Sequence, residues 1–348
     1  MDGKSVSSPA RTLRVGLAYN LKRSRTSDSE AEFDEPATVE AISAAVRAGG
    51  CDVVPLEADE AFPTKLQAEK PDIVFNIAEG RHGRDREGQV PAILEYYGIP
   101  FTGSDSTTLG MALDKELTKR IAASYGIRSP RGRVFSPASA RAESGTDIGL
   151  RYPLIVKPNA EGSSKGISDY SIAHNYNELQ KLLADGFRLY AQDMLAEEFI
   201  AGREFTVALL GNGPGLRAFP PMEIAFRDRR GENIYSYEVK RDFQKYISYE
   251  CPPHLDAAII DGIMDMARGV FRALSCRDLA RADFRMSDNG SIYFIEINPL
   301  PGLAPGYSDF PMAAGFSGLA YDSLVRAVLE AALGRYGMAL PAAEGRRR

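Results

Sequence analysis

The chain has 348 residues, enough for two or three lobes at ~100–200 residues each. Hydrophobic residues make up 44% and charged residues 26%, an ordinary globular balance, and the formal net charge of −5 gives no electrostatic footprint for nucleic acid. The three cysteines, Cys51, Cys251 and Cys276, are odd in number and far apart, so neither a disulfide framework nor a zinc site is indicated. No run of ~18 apolar residues marks a membrane span, and the Ser-rich first dozen residues lack the apolar core of a signal peptide. A cytoplasmic protein with no membrane or nucleic-acid partner is expected.

In chain order, "LRVGLAYN" reads as a strand. "PATVEAISAAVRAGG" follows as a helix with Val39, Ile42 and Val46 on one face and Gly49-Gly50 as its stop. "CDVVPLEA" and "PDIVFNIAEG" read as strands, the second a continuous apolar run suited to a parallel sheet covered on both faces. The result is an α/β first lobe over residues 12–105, with no GxGxxG after its first strand to hold a dinucleotide. Residues 107–126 read as one helix carrying Leu109, Leu113, Leu117 and Ile121, with Lys115 and Lys119 on another face, where lysines are usually solvated. Residues 137–149 read as a surface connection. "YPLIVKPNAEGSSKGISDYSI" reads as strand, Gly-rich loop, strand, and Asn175 with Glu178 as the capping box of the next helix. "REFTVALLGN" is a strand, "LDAAIIDGIMDMARGVFRAL" a helix, and a hairpin follows. Antiparallel pairs with packed helices predict an α+β style after residue 150, divided into lobes over 106–190 and 191–336.

The hairpin "RADFRMSDNGSIYFIEINPLPG", residues 281–302, carries the first chemical signal. Asn289-Gly290 favours a two-residue turn, and counting outward from it places Asp283 opposite Glu296 and Arg281 opposite Asn298. Residues two apart share a face, so the four side chains form one patch. Two facing carboxylates and an amide suit a hard cation such as magnesium, and Arg281 would meet a further anion. From this segment alone a solvated Arg/Asp/Glu network remains the commoner outcome.

In "IVKPNAEGSSKGIS", consecutive small residues and serine hydroxyls make an anion cradle, with Lys157 at the strand end. It is not a Walker A loop, and an ordinary hairpin turn would look similar. Glu204 opens the next strand, where a carboxylate can bind ribose hydroxyls or simply face water. None of the three histidines, His82, His174 and His254, has the context of a nucleophilic hydrolase; His82 lies on a polar loop as a ligand contact or plain surface.

Taken together, "NIAEGRHGRDREGQVPAILEYYGIPFTGSD", "ALDKELTKRIAASYGI", "YPLIVKPNAEGSSKGIS", "EEFIAGREFTV" and "ARADFR…YFIEINPLPGL" resemble the ATP-grasp superfamily, and within it the D-alanine–D-alanine ligase family. The resemblance spans residues 13–333. It implies an ATP-grasp fold in which two α+β lobes sandwich ATP. Adenine is expected near Lys157 and the segment of Glu197, Glu198 and Ile200, with ribose at Glu204. Lys115, Lys157 and Lys240 resemble the phosphate-facing lysines, and Glu161, Gly162, Ser163 and Ser164 belong to the loop that closes over the phosphates. Asp283, Glu296 and Asn298 fall on the ligands of magnesium or manganese, two ions, and Arg281 on the group that stabilises an oxyanion. The resemblance also suggests a homodimer through the first lobe.

The implied reaction is ATP-dependent joining of a carboxylate to an amine through an acyl phosphate, releasing ADP and phosphate. Three departures from the family point to substrates other than D-alanine. The glutamate-led N-terminal motif is replaced by a longer segment offering Glu32 or Glu35 for the first substrate; Arg241 stands where a tyrosine is usual; and Tyr307 and Ser308, in "LPGLAPGYSDFP", are offset by one residue from the second-substrate site. Arg241 would suit a substrate with an additional carboxylate. A small-molecule kinase and a non-catalytic nucleotide-binding module are the alternatives.

Overall fold

The computed structural model describes residues 12–23, 30, 32–142, 147–162, 171–227 and 243–341. Three parallel strands, β1 (Arg14–Tyr19), β2 (Asp52–Glu57) and β3 (Ile73–Asn76), form the first sheet in the order β2-β1-β3. The expected covering on both faces is present. Val15, Leu17 and Phe75 pack towards Ile42 and Val46 of α1 (Pro36–Ala48), while Ala18, Leu56 and Val74 pack towards α2 (Phe62–Glu69) and α3 (Gln89–Tyr96).

The helix expected over 107–126 is two helices, α4 (Ser106–Leu113) and α5 (Lys115–Ser124). Asp114 between them is extended, with ψ 100°, and its carboxylate accepts from the Leu117 N–H as the cap of α5. An interior aspartate with a helix former on either side looked tolerable by periodicity. Its capping hydrogen bond instead starts a new helix.

The second sheet contains β4 (Gly132–Phe135), β5 (Leu154–Pro158), β6 (Ile172–Ala173) and β7 (Met194–Glu198), all antiparallel, in the order β4-β7-β5-β6. The connection expected over 137–149 opens as α6 (Pro137–Ala142), because Pro137 suits a first helical turn and the Ser136 hydroxyl accepts from the Ser139 N–H. One face of the sheet carries Leu154, Val156, Met194 and Ala196 against Leu179 and Leu183 of α7 (Tyr176–Tyr190). Lys157 and Glu197 alternate onto the other face. Asn175 caps α7 as expected, its carbonyl oxygen accepting from the Glu178 N–H at 3.1 Å.

The third sheet runs β11-β10-β8-β12-β13, with β9 on β8; its strands are β8 (Arg203–Leu210), β9 (Arg217–Ala218), β10 (Met222–Phe226), β11 (Ile247–Glu250), β12 (Leu279–Met286) and β13 (Ile292–Asn298). The single-turn α8 (Phe243–Tyr246) leads into β11. Phe205, Phe284 and Phe294 bury one sheet face against Ile263, Ala267 and Val270 of α9 (Ala257–Ala273), each ring contributing about 1.5–3 kcal/mol. Glu204, Thr206, Arg281, Asp283 and Arg285 alternate onto the opposite face. Two further helices, α10 (Asp309–Phe316) and α11 (Tyr321–Arg335), return to the first sheet, where Leu324, Val325 and Val328 share its core with α1.

Candidate active site

The β12–β13 hairpin reaches its expected register by an unexpected route. The turn is not two residues: Ser287 pairs with Ser291 by its N–H, leaving Asp288, Asn289 and Gly290 as the loop, with Gly290 at φ +80°. That displaces the pairing by one residue through Met286↔Ile292, Arg285↔Tyr293 and Phe284↔Phe294. A bulge beyond Phe284 restores it, so that Asp283 faces Glu296 and Arg281 faces Asn298. The two irregularities cancel, and the polar face is the expected one.

On that face Arg281 donates to Asp283 at 2.7 and 3.0 Å and lies 3.8 Å from Glu296 and 3.9 Å from Asp309. Thr206 donates at 2.7 Å to Asp283 Oδ1, the oxygen that also accepts from Arg281 Nε. Burial alone would push the Glu296 carboxyl up, but Lys115, Lys157 and Arg281 together hold it down at about 2. Glu296 is therefore an anion at neutral pH. Asn298 accepts from the Leu300 N–H at 2.8 Å, which fixes its amide on the same wall. Two carboxylates and an amide oxygen are the donors a hard divalent cation takes, and the ionised Glu296 fits that role.

The sheet β4–β7 contributes a buried triad. Glu197, 2% exposed, accepts from Lys157 at 2.5 Å and from Lys119. Lys119 is thus not a solvated surface lysine; it and Lys157 are only 6% and 3% exposed. Burial pushes both ammonium groups down, and the Glu296 carboxylate works the other way on both. Lys157 also lies within electrostatic range of Glu296, Glu204 and Arg285, so the polar faces of the second and third sheets meet. Lys115 closes the gap: its ammonium is 3.6 Å from Glu296 and donates to the Glu161 carbonyl.

Glu204 lies 3.3 Å from Arg285, and burial pushes its carboxyl up to about 7. Glu198 turns to the opposite face of its strand, where Arg151 and Arg131 pair with it at 3.0 and 3.7 Å. Its side chain does not join the group expected around adenine. Ile200 follows β7 and is half-buried. Ser163, Ser164, Lys240 and Arg241 lie outside the described residues.

A cavity of about 620 Å³ opens between the hairpin and the first lobe. Arg281, Glu296, Asn298, Lys115, Glu161 and Gly162 line it, and so do the candidate substrate residues Glu35, Tyr307 and Ser308. His82 is exposed, touches Gln89 through its carbonyl and is not on this wall. Glu32 also lines this cavity and is held in place by neighbouring groups. It takes Arg86 at 2.7 and 2.8 Å and accepts from the Gly162 N–H at 2.9 Å. A Cβ at Gly162 would lie 2.4 Å from a Glu32 oxygen, so a side chain there would displace the Glu32 carboxylate. Arg86 also pairs with Glu161 at 3.2 Å, tying the N-terminal segment to the glycine-rich loop.

Asp34, Glu79, Glu87 and Asp309 also line the cavity, and none was singled out in the sequence. Arg86 and Glu87 sit within the quoted "RHGRDREGQ" stretch, but a charged loop reads as surface unless something covers it.

The family model for the D-Ala-D-Ala ligase C-terminus matches residues 135–330. D-alanine–D-alanine ligase of Cupriavidus metallidurans is 35% identical over 291 residues, 84% of this chain and 85% of that protein. An uncharacterised protein, y4sG, of Sinorhizobium fredii is 33% identical over 305 residues, covering 85% and 88%. The crystal structure of D-alanine–D-alanine ligase from Bacillus anthracis complexed with ATP superposes with a TM-score of 0.74 at 24% identity, over 94% of this chain and 99% of that one. The VanG D-Ala:D-Ser ligase from Enterococcus faecalis gives a TM-score of 0.71 at 21% identity, over 92% and 100%. The fold is ATP-grasp, and the chain belongs to the D-alanine–D-alanine ligase family.

Proposed function

We propose that this protein is an ATP-dependent ligase that joins the carboxylate of one amino acid or amino-acid-like substrate to the amine of another, releasing ADP and phosphate. The observation that carries the reading is the convergence of Arg281, Glu296 and Asn298 with Lys115 on one cavity wall, next to the buried Lys157–Glu197–Lys119 triad. Phosphoryl transfer needs positioning and charge neutralisation more than a protein nucleophile, and these residues supply both.

The donor carboxylate attacks the γ-phosphorus as the bond to ADP breaks. The amine then attacks the carbonyl carbon of the acyl phosphate, loses a proton, and phosphate leaves. Lys115 and Lys157 hold the phosphates, Glu204 the ribose, and Arg281 neutralises the oxyanion of the tetrahedral intermediate. Asp283, Glu296 and Asn298 would hold magnesium or manganese, which when bound neutralises phosphate oxygens. Arg281 and Thr206 hold the Asp283 carboxylate in place on this wall. Glu161 and Gly162, anchored through Arg86 and Glu32, position the start of the loop that excludes water.

The test is incubation with ATP, magnesium and pooled D- and L-amino acids and dipeptides. The expected result is substrate-dependent phosphate release with a product of mass A plus B minus water. A phosphorylated single substrate, or no product at all, would overturn the reading.

A further inference from the structure

Arg281 reaches the cavity from β12, and groups on two different elements act on it. Along its own strand, Nε and Nη2 donate to Asp283 at 3.0 and 2.7 Å. The remaining nitrogen, Nη1, faces α10, where it lies 3.9 Å from Asp309 Oδ2. Asp309 is 2% exposed, and an acid so deeply covered is costly unless it is paired. It is fixed in two ways. It stands in the first turn of α10, where the helix N-terminus favours a carboxylate. The Tyr249 hydroxyl, on β11, donates to its Oδ1 at 3.1 Å, which turns the other oxygen to the guanidinium. Asp309 directly follows Tyr307 and Ser308, the candidate contacts of the second substrate, and all three line the cavity with Arg281.

The two acids act on the guanidinium in different ways. Asp283 takes the Nε and Nη2 edge by hydrogen bonds from the same strand. Asp309 is beyond hydrogen-bond reach at 3.9 Å, so it attracts Nη1 without taking its hydrogens and leaves them able to donate to a substrate oxygen. An anchor on β12 alone would let the guanidinium tilt about the Asp283 contact. A second attraction, from a separate helix, opposes that tilt. Donors lower the barrier most when they already point at the oxygen that becomes charged. We propose that Asp309, oriented by Tyr249, is a positioning residue for Arg281 and aims Nη1 at the oxyanion formed when the amine attacks the acyl phosphate. This rests on the ligase reading and deepens it: Asp309 serves the second half of the reaction, and acyl phosphate formation does not depend on it.

The test compares the full-length parent with Asp309→Asn and Tyr249→Phe in two assays. In the first, with ATP, magnesium and the amino-acid pair that condenses, product and released phosphate are measured together. The expected result for Asp309→Asn is a kcat for condensation lowered at least tenfold with the KM for ATP within twofold of the parent. Phosphate released per product should rise at least threefold, because an acyl phosphate that waits longer for the amine is lost to water. Tyr249→Phe should move both quantities the same way by smaller factors. A merely structural role would lower the rate and leave that ratio alone. In the second assay the ligand-free protein is treated with phenylglyoxal and modification of Arg281 is followed by peptide mass; it should be at least threefold faster in both variants. A phosphate-to-product ratio equal to the parent's would overturn the inference, as would a raised KM for ATP at unchanged kcat or modification of Arg281 at the parent's rate. If the asparagine variant does not fold, Tyr249→Phe, which removes a single hydroxyl, carries the same readouts. Absence of condensed product from the parent overturns the ligase reading and the oxyanion role with it, while faster phenylglyoxal reaction would still establish that Asp309 holds Arg281.

Discussion

Replacing Glu197 by glutamine isolates the electrostatic element on which the nucleotide side of the site depends. The carboxylate is buried between two ammonium groups that are themselves almost fully covered, and it accepts from both. Glutamine keeps the shape and one acceptor but leaves two positive charges facing each other without a counter-charge. Breaking a buried pair in this way costs about 3–5 kcal/mol, a large part of the ~5–15 kcal/mol that holds a typical domain folded. The penalty should depend on pH with a definite sign. A lysine whose folded pKa lies below its unfolded value, ~10.4, releases its proton on folding, so stability rises with pH between the two values. Without Glu197 the folded values fall further, and the deficit should be largest at pH 6–7 and shrink towards pH 10. Urea denaturation followed by circular dichroism at pH 6.5 and 9.5 measures both quantities, and a second substitution, Lys119→Met, should recover part of the loss. Stability within 0.5 kcal/mol of the parent at pH 6.5, or a deficit that does not change with pH, would refute the reasoning.

Three other expectations follow from individual residues. Glu296→Gln should leave the fold intact and lower turnover at least 100-fold with raised demand for magnesium, since it removes the ionised member of the cation wall; near-normal kcat would break that assignment. Gly80→Ala should cost 2 kcal/mol or more, because Gly80 has φ +78° and an added Cβ would lie 2.0 Å from the Arg86 carbonyl; an unchanged urea midpoint would contradict it. For Glu87, burial and Glu32 raise the folded pKa from 4.5 to about 8, so its contribution is intact below the unfolded value and is lost as pH rises through the folded one. Glu87→Gln should therefore raise the Tm of the ligand-free protein by a few degrees at pH 9 and hardly at pH 4.5, and a lowered Tm at pH 9 would count against the burial argument.

Much of this arrangement is legible in the chain because it rests on periodicity. The period-two alternation of β12 places Arg281 and Asp283 on one face and Ala282 and Phe284 on the other whatever the turn does locally. The turn itself was misjudged by one residue, and only a bulge, which no local pattern announces, returned Asp283 to Glu296. Lys119 read as a solvated lysine because its partner Glu197 is 78 residues away. Glu32 and Glu35 both line the cavity, but the Arg86 partner of Glu32, 54 residues on, is non-local and was not legible in the segment. The acidic end of the cavity draws Asp34, Glu79 and Glu87 from three segments, each of which alone reads as a charged surface loop. The roles expected of Ser163, Ser164, Lys240 and Arg241 fall outside the described residues.

The proposed reaction begins with activation of a carboxylate by the γ-phosphoryl group. The most direct measurement is to supply the donor amino acid with oxygen-18 in its carboxylate, run the reaction with ATP and magnesium, and weigh the released phosphate. Transfer of one labelled oxygen into phosphate, matched in amount to condensed product, is the predicted result. Substrate-dependent release of unlabelled phosphate would contradict it, since the γ-phosphoryl group would then have passed to water instead of the carboxylate.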